Sequence, residues 1–406
     1  MTPAILETNI LLSLIYGMTI YLAAWVAAVL VIKNKSVALS LSPANNRYGS
    51  IDGLRGVLAV GVLVHHSSMA YEYFTVGKFQ SGPNPLLYHF GKSSVALFFM
   101  ITGFLFTNIA LKNEVNWSSF FKSRIKRLAP LYTLVVSIIF IIVLIIDNFE
   151  LHVSWQKYVV DYFRWLSFVI FGRPPINGMK DSELLIAGVN WSLKFEVIFY
   201  IVVVPIIFIV SKKVSRQSLI IGCIAFGLAL VAIKNNMKNG INIIWLLYFL
   251  SGITIALLYK SDEVKRYISH KYFCYSAILS LIILLFTNTW WLSYILLCII
   301  FASVVGGGSL FGLLKMRASI WLGDISYGIY LLHGLVLYAF LSLLKDKHLV
   351  HHIDIRLYWV IVLLIAVIVV MLSSISYVFL EKPIMNSGKK LPSTIIKGRL
   401  TASKDT

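Results

Sequence analysis

The segment Asp52-Gly53-Leu54-Arg55-Gly56 opens an apolar stretch that continues to His65 and His66. A helix turns about 100° per residue, so the steps from Arg55 to His66 come within about 20° of three full turns and separate the two groups by about 16 Å along the axis. Both side chains therefore face the same way, while His65 falls about 80° off that line. Arginine suits phosphate because its planar fork donates in pairs and stays charged. Histidine, with an ordinary pKa of about 6.5, can take a proton from a hydroxyl near neutral pH. The pair fits an elongated substrate, anionic at Arg55 and reactive at His66. The plainer alternative is an arginine snorkelling to an interface and a histidine bonding a neighbouring helix.

Three further clusters carry chemistry. Arg124, Lys126 and Arg127 stand just before Pro130, a residue favourable in a first helical turn, and could receive an acidic ligand or simply orient the helix. Trp191-Ser192-Leu193-Lys194-Phe195-Glu196 enters an apolar run with a carboxylate about one turn past a belt tryptophan. Glu196 is expected to share a depth with His66 and to fix its tautomer. Ser326, Tyr330 and His333 recur at helical spacing and form a polar stripe that lines a cavity or joins helices. His348, His351 and His352 read as solvated loop residues, and Cys223, Cys274 and Cys298 as small core residues, so no metal site is expected.

The elements that must position these groups are membrane helices. Apolar residues make up 59% of the chain and charged residues 13%, where soluble chains carry about 25% charged. A charged group at a bilayer centre costs at least about 2.5 kcal/mol, which marks the ionisable residues above as functional candidates. Helices are expected to begin near Asn9, Ile51, Ser93, Pro130, Trp191, Ser218, Ile241, Tyr272, Trp290, Ile320 and Leu357. The fold class is thus an all-α polytopic transmembrane bundle of about eleven helices. The net charge of +19 sits mainly in alternate loops, which places the N-terminus outside and the C-terminus inside and argues against a nucleic-acid partner. Residues 1–47 read as an anchoring helix and basic loop, 48–386 as the membrane domain and 387–406 as a basic tail. Between Asp147 and Asn190 an aromatic, amphipathic piece is expected to lie at the interface rather than span.

Taken in order, these motifs resemble the acyltransferase 3 family. The residues that carry the resemblance are Asp52 to Gly56 with His66, Leu97-Phe98-Phe99 with Gly103-Phe104, and Arg124, Arg127, Pro130 and Tyr132. Trp191-Ser192-Leu193 with Glu196, Phe199 and Tyr200 follows, then Leu322 to Tyr327 with Ile329 to His333, and last Glu381-Lys382-Pro383. The resemblance implies a ten-helix core, here with one extra N-terminal helix, in a cell (inner) membrane. It implies an acyl-CoA donor, usually acetyl-CoA, reaching the site from the cytoplasm beside membrane lipid. The implied acceptor is an extracytoplasmic glycan: lipopolysaccharide O-antigen, exopolysaccharide or a peptidoglycan sugar. By carry-over His66 is the catalytic base, with Glu196 following, and Arg55, Arg124 and Arg127 bind the donor. Asp52, His65, Trp191, Ser192, Ser326, Tyr330 and His333 support the site. Ala96 and Thr102 depart from the acidic residue and serine common there, so the resemblance does not carry an Asp-assisted site to this position. No SGNH-type esterase domain is expected after Pro383, and a relay by such a domain is expected to fall to a separate protein. Direct transfer and a transient acyl-histidine both stay open. A secondary transporter, with Arg55, Glu196 and His333 along its path, is the competing class.

Overall fold

The computed structural model describes residues 9–34, 37, 49–82, 84–236, 241–346 and 355–387. Most of the basic loop before residue 48, the three histidines at 348, 351 and 352, and the tail from 388 lie outside the described residues. Within them the chain is helical and has no strand. The order is α1 (Ile10–Ile32), α2 (Gly49–Val76), α3 (Pro85–Ala110), α4 (Trp117–Ile146) and α5 (Trp155–Leu166), then a 3₁₀ turn (Ser182–Ile186). Next come α6 (Asn190–Ile198), a π turn (Phe199–Val203), α7 (Val204–Ser211), α8 (Arg216–Asn236), α9 (Ile241–Leu258), α10 (Asp262–Ile268), α11 (Lys271–Leu284) and α12 (Trp290–Val305). The chain continues through α13 (Arg317–Asp324), α14 (Ser326–Asp346), α15 (Ile355–Ser376), a second π turn (Tyr377–Glu381) and α16 (Lys382–Asn386).

Among the described residues seven helical stretches are long and apolar enough to cross a membrane, or eight if α9 and α10, bent by 115°, make one span. The eleven predicted stretches are all helical, but a count of eleven crossings does not follow. With 14 and 16 residues, α11 and α12 are shorter than the roughly 20 that a bilayer asks. Two starts move as well. Asn84 caps α3 by accepting from the Leu86 and Leu87 amides, with Pro85 at the first helical position. Asn116 caps α4 through the Ser119 amide at 2.9 Å. Pro130 therefore lies inside α4 rather than in its first turn, where its missing N–H removes one rung of the helical ladder.

Helix α2 is wedged between two apolar cores. Ile51, Leu54, Leu58 and Val62 join a core with residues of α3, α4, α9 and α12. Ala59, Val60, Leu63 and Val64 join another with residues of α1, α13, α14 and α15. The helix that carries Arg55 and His66 is thus packed on both flanks. Close backbone approach elsewhere depends on glycine: a Cβ on Gly103 would lie 2.4 Å from the Phe249 carbonyl oxygen, and one on Gly252 2.2 Å from that of Met100, so α3 and α9 can touch only with small residues at the crossing.

The amphipathic piece forms as expected. Ser154 caps α5, which at 12 residues is too short to span and buries Tyr158, Asp161 and Trp165 while exposing Trp155 and Phe163. Asp161 holds Lys157 at 2.6 Å, and Tyr132 of α4 donates to the Trp165 carbonyl at 2.9 Å. The first bond braces α5 internally, and the second ties it to the bundle.

Candidate active site

The Asp-Gly-Leu-Arg-Gly motif explains how the first charges are presented. A Cβ at Gly53 would fall 1.9 Å from the Leu314 carbonyl oxygen, and one at Gly56 2.6 Å from Leu322 Cβ. Reciprocally, a Cβ at Gly323 would fall 1.9 Å from the Asp52 carbonyl oxygen. Both glycine sites press α2 against the 313–324 segment, and the other helix face turns Asp52 and Arg55 into a cavity of about 420 Å³. That volume is in the range of about 300–1,000 Å³ usual for small-molecule sites.

Arg55, Arg124, Arg127, Asp52, Glu196 and Asp324 all line this cavity. Arg55 lies 3.9 Å from Asp52. Arg127 donates to the Asp324 carbonyl at 3.0 Å and stands 5.8 Å from the Tyr377 ring centre. Arg124 reaches the Ser123 hydroxyl at 3.2 Å and lies over the Phe106 ring. Three guanidinium groups facing one cavity make a receptor for phosphate or carboxylate. Apolar walls from Val95, Phe98, Ile101 and Leu105 suit an uncharged arm attached to such a group.

Glu196 lies at this end and not beside His66. Its carboxylate accepts a short hydrogen bond from Tyr200 on the π turn that follows α6. The expected pairing with the imidazole fails because of depth. Helix α6 runs toward the arginines and α14 away from them, and Ser192 meets Tyr330 through a 2.7 Å hydroxyl pair. From that level Glu196 is four residues along one helix and His333 three along the opposed one, about 10 Å apart in depth at 1.5 Å per residue.

At the other end of α2 the partner of His66 is His333. His66 Nδ1 lies 2.9 Å from His333 Nε2, with the rings stacked at 5.1 Å and 11°. His333 is fully buried, and its Nδ1 is 2.9 Å from the Ile329 carbonyl oxygen. His65 serves packing instead: its Nδ1 donates to the Leu87 carbonyl at 2.8 Å, and its ring rests on Gly91, where a Cβ would fall 2.2 Å away. Gly334 lets the 182–189 segment cross α14 next to His333, since a Cβ there would meet the Ile186 carbonyl carbon at 2.3 Å. The same segment offers the Val189 carbonyl to the Tyr330 and Ser192 hydroxyls.

The structure thus brings together most of the predicted residues, in two groups. Asp52, Arg55, Arg124, Arg127, Glu196 and Ser326 line the cavity, and Ser192 and Tyr330 line it at the boundary. Trp191 supports the wall by packing on Trp245 at 5.0 Å and on Phe99 at 6.2 Å. His65, His66 and His333 form the second group. The cavity's lining reaches Phe98 and Tyr330 and does not include His66, and the Tyr330 ring centre is 6.3 Å from that of His333. Sequence reasoning missed Asp324, Tyr377 and Met385 as cavity residues. Asp324 carried a signal as an acid inside an apolar run, whereas Tyr377 is aimed by a π turn that helical spacing does not foresee.

The helical bundle of a multi-pass membrane protein thus carries a cavity lined by three arginines and three acids on one side of a tyrosine–serine contact and a histidine pair on the other. The chain belongs to the acyltransferase 3 family, whose model, described as "Acyltransferase domain", matches residues 48–376. It is 22% identical over 377 residues to "O-acetyltransferase OatA" of Staphylococcus aureus, a match covering 84% of this chain and 57% of that protein. It is 25% identical over 390 residues to "Putative peptidoglycan O-acetyltransferase YrhL" of Bacillus subtilis, covering 83% of this chain and 55% of that protein. The chain therefore spans little more than half the length of these relatives. No solved structure matches it.

Proposed function

We propose that this protein transfers an acyl group, acetyl in the simplest case, from acyl-CoA to a hydroxyl of a cell-envelope glycan. The observation that carries the reading is the layout of α2, which offers a guanidinium to the arginine-lined cavity and an imidazole to a buried pair further along the same helix. The donor's phosphates meet Arg55 and Arg124, with Arg127 shaping the pocket, and the apolar walls receive the pantetheine arm. The thioester end then points toward Tyr330 and the histidines. The sugar hydroxyl enters from the opposite side, which the basic-loop bias makes extracytoplasmic. His66 removes its proton as the oxygen attacks the thioester carbonyl. The carbon–sulfur bond breaks, and the proton passes from His66 to the departing thiolate, giving free CoA and the ester. The names of the relatives support an O-acetyl product and, for one of them, peptidoglycan as acceptor.

The test is labelled acetyl-CoA supplied to membranes holding the full chain, with mass spectrometry of the envelope glycans. One added acetyl per modified sugar is expected, and His66→Ala should lower the yield by at least about 100-fold while the protein stays inserted. Full transfer by that variant would remove the proposed base.

A further inference from the structure

The structure assigns His333 as the positioning residue that selects the working tautomer of His66 and shares the proton it takes up. This assignment rests on the reading of His66 as the base, and the bonding pattern carries it. The Ile329 carbonyl oxygen can only accept, so His333 Nδ1, 2.9 Å away, must bear a hydrogen. In a neutral imidazole the other nitrogen is then bare. That nitrogen, Nε2, is the atom 2.9 Å from His66 Nδ1, so the contact is a hydrogen bond only when His66 Nδ1 bears its own hydrogen. One backbone carbonyl thereby sets two tautomers in series and leaves His66 Nε2 as the nitrogen with a free lone pair. The near-parallel stacking of the rings restrains rotation of His66.

What surrounds the pair sets its chemistry. Among the described residues His65 on α2, His333 on α14 and Lys92 on α3 bear electrostatically on His66, and Glu72 stands further along α2. His65 has its Nδ1 committed to Leu87. When His66 Nε2 takes the hydroxyl proton, the imidazolium is therefore steadied by a neutral imidazole acceptor where many hydrolases use an aspartate. The pair can hold one added proton only, because a second would set two N–H groups against each other across 2.9 Å. Such a device returns its proton readily to a thiolate, since the group that steadies it is a neutral acceptor at 2.9 Å.

The experiment compares His333→Met, of similar length with no strong acceptor, with His333→Gln, whose carboxamide oxygen can accept from His66 Nδ1. H333M should lower kcat by about 100-fold with KM for acetyl-CoA unchanged within about twofold, and H333Q should recover at least about tenfold of that loss. Wild-type kcat in folded H333M, or no difference between the two variants, would overturn the assignment. Where H333M does not accumulate as inserted protein, the pH profile of H333Q decides. An amide cannot share the proton, so the acidic limb of kcat should move to lower pH, and an unmoved limb would overturn the assignment. Failure of the base itself reads differently: His66→Ala would then keep full activity whatever the 333 variants do.

Discussion

Around Arg55 the partners are ionic and numerous, whereas around His66 they are imidazoles and backbone carbonyls. The same face of the same helix carries both. At the arginine end Asp52, Asp324, Glu196, Arg124 and Arg127 line one cavity with Arg55, which lies 3.9 Å from Asp52. At the histidine end every nitrogen contact is directional, and its geometry fixes which atom bears hydrogen. Binding by charge tolerates an anion in several poses, while proton transfer needs one atom in one place. Tyr330 and Ser192, joined at 2.7 Å, stand where these two designs meet.

The largest effect should come from breaking what both ends share. Gly53→Val puts side-chain atoms where the Cβ alone would lie 1.9 Å from a backbone oxygen of Leu314, and that backbone cannot swing aside as a flexible side chain would. A loss of about 3 kcal/mol or more is expected, with α2 displaced and both ligand binding and transfer gone. Thermal unfolding of the purified protein measures it. A variant with unchanged melting and normal donor affinity would show that the glycine contacts do not position the helix.

Next in size is a split between the ends. Arg55→Ala should weaken the acyl-CoA donor by about 10- to 100-fold, the worth of one or two charge-assisted hydrogen bonds at about 1.5–3 kcal/mol. Transfer at saturating donor should change little. His66→Ala should do the reverse, lowering kcat while leaving KM for the donor near its starting value. If Arg55→Ala lowers kcat and leaves KM alone, the division of labour along α2 is wrong.

How far the sequence reveals this arrangement depends on which physical quantity sets each feature. The register of Arg55 and His66 follows from helical spacing within one segment, and both lie on one uninterrupted helix, α2. Apolar runs likewise mark the helices, because lipid demands them. Yet α2 is not among the seven stretches that qualify as spans, since Asp52, Arg55 and the two histidines dilute its apolar character. The partner of Glu196 depends on the relative depth of α6 and α14, a tertiary quantity that no single run encodes. His65 owes its packed place to Leu87 and to Gly91, a residue 26 positions further on that leaves room for its ring. The π turns at 199–203 and 377–381 change the rotation per residue, so regular spacing does not carry through the segments that hold Tyr200 and Tyr377.

A smaller effect should separate the histidine end from the arginine end without touching either reacting group. Gly91→Ala drives a Cβ to 2.2 Å from His65 Cδ2, and the ring must leave its place and give up the Leu87 carbonyl. Overpacking of this kind costs about 1–3 kcal/mol. Melting should fall accordingly and kcat should drop through disturbance of the neighbouring His66, with KM for the donor held. A rise in donor KM of the size expected for Arg55→Ala would mean that the two ends are mechanically one.

The smallest change tests which arginines face the ligand and which face the protein. Arg127 is already occupied: it donates to the Asp324 carbonyl at 3.0 Å, touches Met385 Sδ at 3.6 Å and lies by the Tyr377 ring. Those partners join α4 to the end of α13 and to the last helix of the described chain. Among the described residues Arg124 reaches only the hydroxyl of its neighbour Ser123 and the face of Phe106, which leaves most of its donors for a ligand. Arg127→Lys keeps the charge and can keep one hydrogen bond while losing the planar fork, so a cost of about 1 kcal/mol is expected, appearing as a lower melting temperature with donor KM raised less than about fivefold. Arg124→Lys should show the opposite balance, with melting held and donor KM raised more. If the two variants exchange these signatures, the ligand-facing role passes to Arg127 and the cavity has to open at α16 before the donor can bind.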